Sequence, residues 1–422
     1  MRTLFVNEKG CAYGGVEQAV GDTAAGLAAR GHAVHLLSCE PIPEGRSPLG
    51  APFASRTRLE LQAAEGTWRR QLARALEAAA PDVVYVHRWA HRESLAELAV
   101  GLPTVRYAHD HDLYCPRRHK YFPLSRRICN HPLGVHCVLH GCLLTPQGPV
   151  PGLPGLVDLR AKARDLAFNR RLPTLAVGSR WMRDMMRRNG FAESQVVLLP
   201  PVPAGLERDT PAPPADGAVP TVLFVGQLIR GKGVDLLLAA LAGVRRPFRA
   251  LLVGTGAQQH ELVEQTRQLG LGDRVTFVGW VPHDRLADYY RQAAVVAVPS
   301  RWPEPFGMVG LEAMWSARPV AAFAVGGIPD WLVDGETGLL AAEGDATGLG
   351  HALEELLSDA DLGRRLGEAG FARAREHYRF ADYLDRTAGL LAGAIAGAGA
   401  SSGTARSSVA PVSGDGEEID DL

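Results

Sequence analysis

The chain has 422 residues, too many for one hydrophobic core, so two or three domains are expected. Apolar residues make up 46% and charged residues 22%, and the net charge is −1, as in ordinary soluble globular proteins. The longest apolar runs, such as VDLLLAALAGV, fall well short of the roughly 20 residues of a membrane-spanning helix, which excludes a helical integral membrane protein.

The near-zero net charge hides an asymmetry between the two halves of the chain. Residues 1–200 carry 26 Lys and Arg against 17 Asp and Glu, whereas residues 201–422 carry 19 against 29. A basic first half suits an anionic partner such as nucleic acid, an anionic lipid surface or an anionic acceptor. A chance excess of Arg on solvated faces is the alternative.

The first half alternates short buried strands with helices. It opens with TLFV, a glycine-rich turn, an amphipathic helix that stops at Gly31, and a second strand, AVHLLS. Later strands follow in the segments PDVVYVH, PTVRYAH, TLAVGS and QVVLLP. This alternation predicts a parallel sheet with helices on both faces, so residues 1–200 are assigned to an N-terminal Rossmann-like domain. The opening MRTLFVNEKGCAYGG has no signal-peptide pattern, and a cytoplasmic protein is expected.

A proline-rich segment separates this half from a second one of the same kind. Residues 201–220 have a linker composition, and strands and helices alternate again from TVLFVG onwards. We expect a C-terminal Rossmann-like domain over residues 221–375 and a terminal helix over 376–391 that packs back on the N-terminal domain. Residues 392–422 are rich in Ala, Gly and Ser and are predicted to be disordered. Two doubly wound α/β domains that face each other leave a cleft along the carboxyl ends of both sheets, where ligands bind.

The stretch EPFGMVGLE at residues 304–312 places one glutamate before a helix start and one after it. The preceding strand, VVAVPS, ends at Ser300, and the helix is predicted to begin near Met308, after a segment broken by Pro and Gly. The unpaired amides of its first turn form an anion site suited to a diphosphate. Glu312 lies about one turn into a mostly apolar helix, where a carboxylate needs a partner such as a sugar diol. A Glu on the solvent side of an amphipathic helix is the alternative.

The longer segment PSRWPEPFGMVGLEAMWSARPVAAFAVGGIPDWLVDGETGLL resembles the retaining GT-B glycosyltransferases of family four. The similarity covers residues 1–390 and is strongest in the second half. It implies the GT-B fold, with two Rossmann-like domains around a central cleft, and it assigns Glu304 to the hydroxyls of the donor sugar and Glu312 to the ribose of the nucleotide. It also implies that backbone amides contact the sugar and the phosphate, at Phe306, Gly307, Met308 and Val309.

A second strand-to-helix connection, FVGQLIRGKGVD, supplies positive charge. The strand ends at Gly226, and Lys232 precedes a helix that starts near Val234, a position that a nearby anion would make favourable. By resemblance, a Lys here and an Arg directly after the first Gly neutralise the leaving diphosphate, and catalysis requires no metal. Lys232 fits this pattern, but Gln227 stands at the Arg position, and Arg230 is the candidate replacement. The alternative is a loop of surface Lys and Arg.

The first half contributes candidates at two strand ends. In VRYAHDHDLYCP, the resemblance implies that His109 approaches the primary hydroxyl of the donor sugar, with His111 as the second choice and a purely structural His as the alternative. In YGGVEQAV, Gly14 and Gly15 let a backbone approach a phosphate or an acceptor closely. The resemblance places this turn along the donor diphosphate. Trp280, in FVGWVP, is expected near the base of the nucleotide.

The segment CPRRHKYFPLSRRICNHPLGVHCVLHGC is unconventional. It holds four of the six cysteines within 28 residues: Cys115, Cys129, Cys137 and Cys142. Clustered cysteines in a cytosolic chain favour a metal, and four thiolates can form a tetrahedral structural zinc site, although this spacing matches no standard finger. Reducible disulfides or free thiols are the alternative.

Residues 110–150 are interpreted as an insertion over the acceptor cleft. Its bases and aromatics would suit an anionic or lipid-linked acceptor, or a membrane surface. They are Arg117, Arg118, Lys120, Arg126, Arg127, Tyr121 and Phe122.

The sequence therefore predicts a retaining glycosyltransferase of the hexosyltransferase type, which moves a sugar from a nucleoside-diphosphate sugar to an acceptor hydroxyl. Its product would belong to polysaccharide, glycolipid or glycosylated natural-product synthesis. A saccharide or lipid-linked acceptor is expected, nucleic acid is not, and the location is cytoplasmic with peripheral contact at the inner face of the membrane. A structural zinc is the sole cofactor considered. Two alternatives stay open: a catalytically silent scaffold that uses the cysteine cluster for interaction, and a GT-B nucleotide-sugar epimerase.

Overall fold

The computed structural model describes residues 1–12, 14–64, 66–145, 155–211 and 219–402. Parts of three predicted segments lie outside these residues. They are residues 146–150 of the insertion, residues 212–218 of the linker and residues 403–422 of the tail. Within the described chain, strands and helices alternate through both halves.

The first half runs from β1 to β9. Its elements are β1 Arg2–Val6, α1 Gly15–Ala29, β2 Ala33–Ser38, β3 Ser55–Arg58, α2 Thr67–Ala79, β4 Val83–Val86, α3 Arg92–Gly101, β5 Thr104–Ala108, α4 Val135–Leu139, β6 Leu144–Thr145, β7 Gly155–Leu156, α5 Leu159–Asn169, β8 Thr174–Val177, α6 Arg180–Arg188 and β9 Val196–Leu198. The short strands β6 and β7 pair antiparallel within the insertion and its flank.

The second half runs from β10 to α14. Its elements are β10 Thr221–Val225, α7 Val234–Ala242, β11 Arg249–Val253, α8 Gln259–Gln268, β12 Val275–Gly279, α9 Leu286–Gln292, β13 Val295–Val298, α10 Met308–Trp315, β14 Val320–Phe323, α11 Ile328–Trp331, β15 Gly338–Ala341, α12 Ala346–Ser358, α13 Ala360–His377 and α14 Phe380–Ser402. Among the described helices, none combines the length and the apolar character that crossing a membrane requires.

Two parallel sheets organise the described chain. The first has the strand order β3-β2-β1-β4-β5-β8-β9, and the second has the order β12-β11-β10-β13-β14-β15. Every pairing between neighbours in these two sheets is parallel. The predicted α/β class, with two doubly wound Rossmann-like units of the GT-B kind, is confirmed.

Strand order reverses between β1 and β4 in the first sheet and between β10 and β13 in the second. At such a switch point the chain leaves neighbouring strands towards opposite faces, so a crevice opens beyond their carboxyl ends. The segments that follow these strands include residues 7–14, 87–91, 226–233 and 299–307. Most of the candidate site residues lie in or next to these segments.

The strands at the switch points are buried on both faces. All four residues of β4, VVYV, and of β13, VVAV, are buried. Helices on both faces explain these continuous apolar runs, since a strand with one wet face would alternate polar and apolar residues. The loops at the carboxyl ends are therefore carried by a rigid base.

The C-terminal helix α14 returns to the first half of the chain. Tyr383 Oη and Thr23 Oγ1 lie 3.0 Å apart, which joins α14 to α1. The helix extends as far as Ser402. The prediction of disorder from residue 392 is therefore wrong for residues 392–402. Leu391 is fully buried and Ile395 packs against the core one turn later, an apolar stripe that the Ala- and Gly-rich composition concealed.

Candidate functional site

Three helices, α1, α7 and α10, begin at the cleft, and each follows a glycine. A methyl group placed on Gly15, the first residue of α1, would lie 2.7 Å from Cε of Met308, the first residue of α10. Gly233 caps α7 with a φ of 68°, and a Cβ there would overlap the carbonyl oxygen of Pro299. The first-turn amides of such helices lack partners within their own helix and favour an anion. The approach of α1 to α10 therefore makes this part of the cleft suited to a diphosphate.

Glu304 is 4% exposed in the loop between β13 and α10. Its Oε1 accepts hydrogen bonds from Lys232 Nζ at 2.7 Å, from Trp302 Nε1 at 2.9 Å, and from Ser300 Oγ. In the described part of the chain, all three of these side chains donate to the same oxygen, so Oε2 keeps acceptor capacity. Burial alone would raise the pKa of Glu304, but the ammonium of Lys232 and the three hydrogen bonds lower it below its ordinary value. Glu304 is therefore an anionic acceptor at neutral pH.

Lys232 is held between Glu304 and an indole ring. Its Nζ lies 5.3 Å from the ring centroid of Trp302, within the range of a cation–π contact. A methyl group on Gly231 would lie 2.8 Å from the same indole, so the RGKG loop packs directly on Trp302. These contacts fix the ammonium group beside the loop that leads into α10.

The other candidates of the loop after β10 lie elsewhere. Gln227 and Arg230 are exposed, and Gly226 ends the strand beneath them. Within the described residues, Arg230 shows no hydrogen bond or ion pair to Lys232 or Glu304. Trp280, after β12, is 65% exposed. The structure thus brings Lys232 alone of these residues against Glu304.

Glu312 sits one turn into α10 and is 7% exposed. Its Oε2 accepts a hydrogen bond of 2.6 Å from Tyr290 Oη, on α9. Burial raises the pKa of Glu312, and the hydrogen bond from Tyr290 opposes that shift only in part. The buried carboxylate accepts one hydrogen bond, from Tyr290, and keeps acceptor capacity for a ligand diol.

The loop that precedes Glu312 is shaped by buried rings. Phe306 is buried, its carbonyl oxygen accepts a 2.8 Å hydrogen bond from Trp331 Nε1, and Gly307 follows with a φ of 93° as the cap of α10. The contacts predicted for the amides of Phe306, Gly307, Met308 and Val309 need a bound donor and stay predictions.

His111, the second choice from sequence, bridges the two halves of the chain. Its Nε2 lies 2.7 Å from the carbonyl oxygen of Pro303, and its Nδ1 lies 2.8 Å from Tyr114 Oη. A carbonyl can only accept, so Nε2 carries the hydrogen and Nδ1 accepts from Tyr114. Burial lowers the pKa of His111 to about 4, so the ring is neutral at physiological pH. His111 therefore anchors the residue next to Glu304.

His109, the first choice, lies in a small cleft of the first half. Its Nε2 is 2.8 Å from Nδ1 of His87, at the end of the adjacent strand β4, and burial lowers its pKa to about 3. The cleft lies at the carboxyl ends of β4 and β5 and is open to solvent. Its polar lining comprises His87, Arg88, Arg106, His109, Asp110 and Asp112.

Among the described residues that line this cleft, two buried side-chain atoms lack a hydrogen-bond partner, Nε2 of His87 and Nε of Arg106. Oε1 of Glu17 is also buried without a partner, but Glu17 does not belong to that lining. Glu17 is in the first turn of α1, and its pKa is raised by burial, an effect that the charges of Lys9 and Arg88 offset in part. Buried polar groups in native proteins are normally paired. Orphaned atoms on the walls of a cleft point to a polar ligand.

The halves touch at further points around the cleft. Arg180, at the start of α6, forms a 3.1 Å ion pair with Asp330 of α11. The insertion also crosses: Ile128 N donates to Glu343 Oε1 at 2.7 Å, and the rings of His119 and Trp302 are 5.5 Å apart. The two halves of the chain are thus in direct contact at several points around the site.

The cysteine cluster of the insertion consists of Cys115, Cys129, Cys137 and Cys142. All four of its thiols are free, and within the described residues no group of three or more His, Cys, Asp or Glu side chains is arranged to hold a metal ion. Burial raises the pKa of Cys137, and it raises that of Cys142 to about 11. The predicted structural zinc gains no support from this arrangement and stays a prediction.

Two bases of the insertion already have partners within the chain, and one of them, Lys120, is buried. Lys120 is buried, and its Nζ donates to the carbonyl oxygen of His131 and to Cys129 Sγ, whereas Arg118 pairs with Asp112 at 3.1 Å. The expectation that all five bases face a ligand is therefore wrong for Lys120, because its side chain turns inward to bond these groups.

Sequence reasoning missed several partners of the candidate residues. Ser300 and Trp302 lie within the quoted PSRWPEPFG, where side chains with N–H or O–H groups next to a buried Glu were a usable signal. His87 ends a strand whose neighbour ends near His109, so parallel pairing could have predicted their contact. Tyr290 comes from a separate helix and had no such signal.

Replacing Trp302 with phenylalanine tests how Glu304 is held. The change removes the indole N–H but keeps a ring against Lys232. A hydrogen bond to a charged group is worth about 1.5–3 kcal/mol, so turnover should fall about tenfold or more, and the pKa of Glu304 should rise. The pH dependence of turnover measures both, and an acid limb unmoved from wild type would show that Trp302 only fills space.

Family models match both halves of the chain. The model described as Glycosyltransferase Family 4 matches residues 13–202, and the model described as Glycosyl transferases group 1 matches residues 207–373. Together these matches include most of the chain and all of the residues described above around Glu304 and Glu312.

Curated relatives are similar over a shorter stretch. D-inositol 3-phosphate glycosyltransferase of Corynebacterium diphtheriae is 41% identical over 160 residues, 36% of this chain and 37% of that protein. Glycogen synthase of Mycobacterium tuberculosis is 32% identical over 170 residues, 40% of this chain and 41% of that protein. The matches thus span well under half the length of these relatives.

Solved structures share the fold over nearly the whole chain. Sucrose-phosphate synthase from Thermosynechococcus elongatus has a TM-score of 0.71 and 24% identity. The match covers 94% of this chain and 99% of that one. The Anabaena protein HepE, solved in complex with UDP and glucose, has a TM-score of 0.67 and 19% identity, covering 93% of this chain and 100% of that one. At these identities the likeness shows the fold.

Proposed function

Since this chain belongs to the group 1, family 4 glycosyltransferases, we propose that it moves a sugar from a nucleoside-diphosphate sugar to an acceptor hydroxyl. One observation carries the proposal: the buried Glu304 carboxylate, bound by Lys232 beside the start of α10. A buried ion pair is costly to desolvate and is weak evidence for stability, so its place at the mouth of an anion site favours a functional role.

The donor is held by the second half of the chain. Glu304 Oε2 accepts from hydroxyls of the sugar, and Glu312 accepts from the ribose. Lys232 Nζ and the first-turn amides of α10 face the diphosphate. The solved Anabaena protein has UDP and glucose bound, which favours a uridine nucleotide as the first donor to try.

The chemistry retains the configuration at the anomeric carbon. The bond from that carbon to the diphosphate oxygen breaks, and the acceptor oxygen bonds to the same face. The acceptor proton passes to the departing diphosphate. Lys232 and the helix amides stabilise the charge that grows on the diphosphate, and no metal is invoked for this step. Closure by the contacts of His111 and Arg180 excludes water and limits hydrolysis of the donor.

The acceptor enters from the first half of the chain. The cleft beside His109 offers the unpartnered Nε2 of His87, which suits a hydroxyl of a polar acceptor. Arg88 and Arg106 line the same cleft together with Asp110 and Asp112, and Arg88 pairs with Asp110 at 3.2 Å, so the charges of the lining are balanced. A saccharide or a lipid-linked acceptor, used in the cytoplasm at the inner face of the membrane, is consistent with these features.

A thermal-shift screen against UDP, GDP, ADP and CDP, and then against their sugars, tests the proposal. A ligand present at about 100 times its dissociation constant adds about 2.7 kcal/mol to stability and must raise the melting temperature. Glu312→Ala should reduce or abolish the shift, because the ribose loses its carboxylate.

The control is Glu354→Ala, on α12, whose carboxylate accepts from the backbone N–H of Arg245 away from the cleft. It should keep the nucleotide shift of wild type. If none of the four nucleotides or their sugars shifts the wild-type protein, the transferase proposal fails and a silent scaffold takes its place.

A further inference from the structure

The insertion presents apolar side chains to solvent. Among the described residues, eleven large hydrophobic side chains are exposed, and six of them fall between residues 124 and 156. Val135, Val138 and Leu139 share one face of the short helix α4 and are between 52% and 71% exposed, while Cys137 on the other face is buried. A helix normally turns its aliphatic face inward, so this reversed arrangement indicates an external apolar partner.

A hairpin beside α4 adds an apolar tip. Tyr121 and Ile128 form an antiparallel bridge, and the loop between them carries Leu124, which is 90% exposed. The hairpin lies against the end of α4, because the rings of Phe122 and His140 are 4.0 Å apart. Leu124 and the exposed face of α4 therefore belong to one surface.

The charged side chains of the insertion between residues 113 and 157 are all basic. Residues 113–157 contain no Asp or Glu. Arg126 and Arg127 follow Leu124 in the same loop and are exposed. Among the described residues, their side chains form no ion pair. The insertion surface is defined here by Leu124, Arg126, Arg127, Val135, Val138 and Leu139.

We propose that the insertion surface docks on an anionic phospholipid bilayer. Aliphatic side chains that project from a tip and a short helix can enter the interfacial region, while neighbouring guanidinium groups bind lipid phosphates. An acidic protein would satisfy the arginines but would leave the isolated Leu124 without an apolar partner. The combination of projecting aliphatic side chains with neighbouring cations therefore fits an anionic bilayer better than it fits an acidic protein.

Docking would also orient the cleft. The same insertion contacts the rim of the donor site through Ile128 with Glu343 and through His119 with Trp302. A protein held by the insertion surface would present its cleft next to the membrane, within reach of a lipid-linked acceptor. The docking itself does not depend on the proposed sugar transfer.

Co-sedimentation of the full chain with vesicles tests the proposal. Vesicles of phosphatidylcholine alone are compared with vesicles that also contain phosphatidylglycerol. We expect binding to the anionic vesicles that weakens with salt. The double variants Leu124→Ser/Leu139→Ser and Arg126→Ser/Arg127→Ser should each lower the partition coefficient by about tenfold or more.

Matched controls come from exposed residues outside the insertion. Val100→Ser, on α3, removes an aliphatic group that is also 90% exposed, and Arg245→Ser/Arg246→Ser removes two exposed arginines; both should bind like wild type. All variants should keep the wild-type melting temperature and nucleotide shift, which separates docking from the donor site.

Two results would overturn the proposal. One is the absence of binding to either vesicle, or binding that the insertion variants do not weaken. The other is a dimer, seen by sedimentation velocity, that Leu124→Ser/Leu139→Ser dissociates without any vesicle binding in wild type, since the surface would then serve a second copy of this chain.

Discussion

Replacing Lys232 with alanine is expected to lower turnover by a factor on the order of 10²–10³ while the protein stays folded. The Lys232 ammonium is 2.7 Å from Glu304 Oε1 and is the cation that the closed cleft places beside the start of α10. Without it, the departing diphosphate loses a preorganised positive charge. The measurement is release of nucleoside diphosphate from the donor sugar that the thermal-shift screen identifies.

The pH dependence of the same variant gives a second readout. Lys232 lowers the pKa of Glu304, so its removal should raise that pKa and move the acid limb of the pH–rate profile to higher pH. Arg2→Ala is the control, because Arg2, at the amino end of β1, forms an ion pair of the same 2.7 Å length with Asp82. Wild-type turnover in Lys232→Ala would remove Lys232 from the mechanism.

Glu304→Gln should lower turnover to a similar extent, on the order of 10²–10³-fold. The amide has the shape of the carboxylate but carries no charge, so it accepts more weakly from hydroxyls of the donor sugar. Turnover is expected to fall more than nucleotide binding, because Glu312 and the amides of α10 still hold the nucleotide. Kinetics with the identified donor and thermal shift with the nucleotide alone separate the two effects.

The matched control for this change is Glu354→Gln. Glu354 is another carboxylate that accepts hydrogen bonds, from the backbone N–H groups of Arg245 and Arg246, but it lies on α12 outside the cleft. Its variant should keep full turnover and a near-wild-type melting temperature. If Glu304→Gln turned over donor as fast as Glu354→Gln, the carboxylate would have no role in the reaction.

Parts of the site were accessible to sequence reasoning because they are local. A strand, a Pro- and Gly-broken loop and a helix start can be read along the chain, and the helix start predicts an anion site wherever it lies. Glu304, Glu312 and Lys232 were found in this way. The exact partner of each was not, since Lys232 and Glu304 are 72 residues apart and meet only when β10 and β13 pair.

The choice between His109 and His111 shows what local sequence patterns cannot decide. Both follow the same strand, two residues apart, and no local rule separates them. The structure places His111 on the carbonyl of Pro303 and His109 on His87, because the loop after β5 turns one ring to the second half of the chain and the other to β4. Which of them meets the donor sugar depends on that turn.

The sequence by itself determined the α/β class, the two halves and the loops that carry the chemistry, because hydrophobic periodicity and glycine turns act over short distances. Tertiary structure alone decided which side chains bond to Glu304, that Lys120 turns inward, that the insertion reaches Trp302, and that the helix after residue 391 continues to 402. Each of these depends on contacts between segments far apart in the chain, whose geometry follows from sheet order and domain closure rather than from any local pattern.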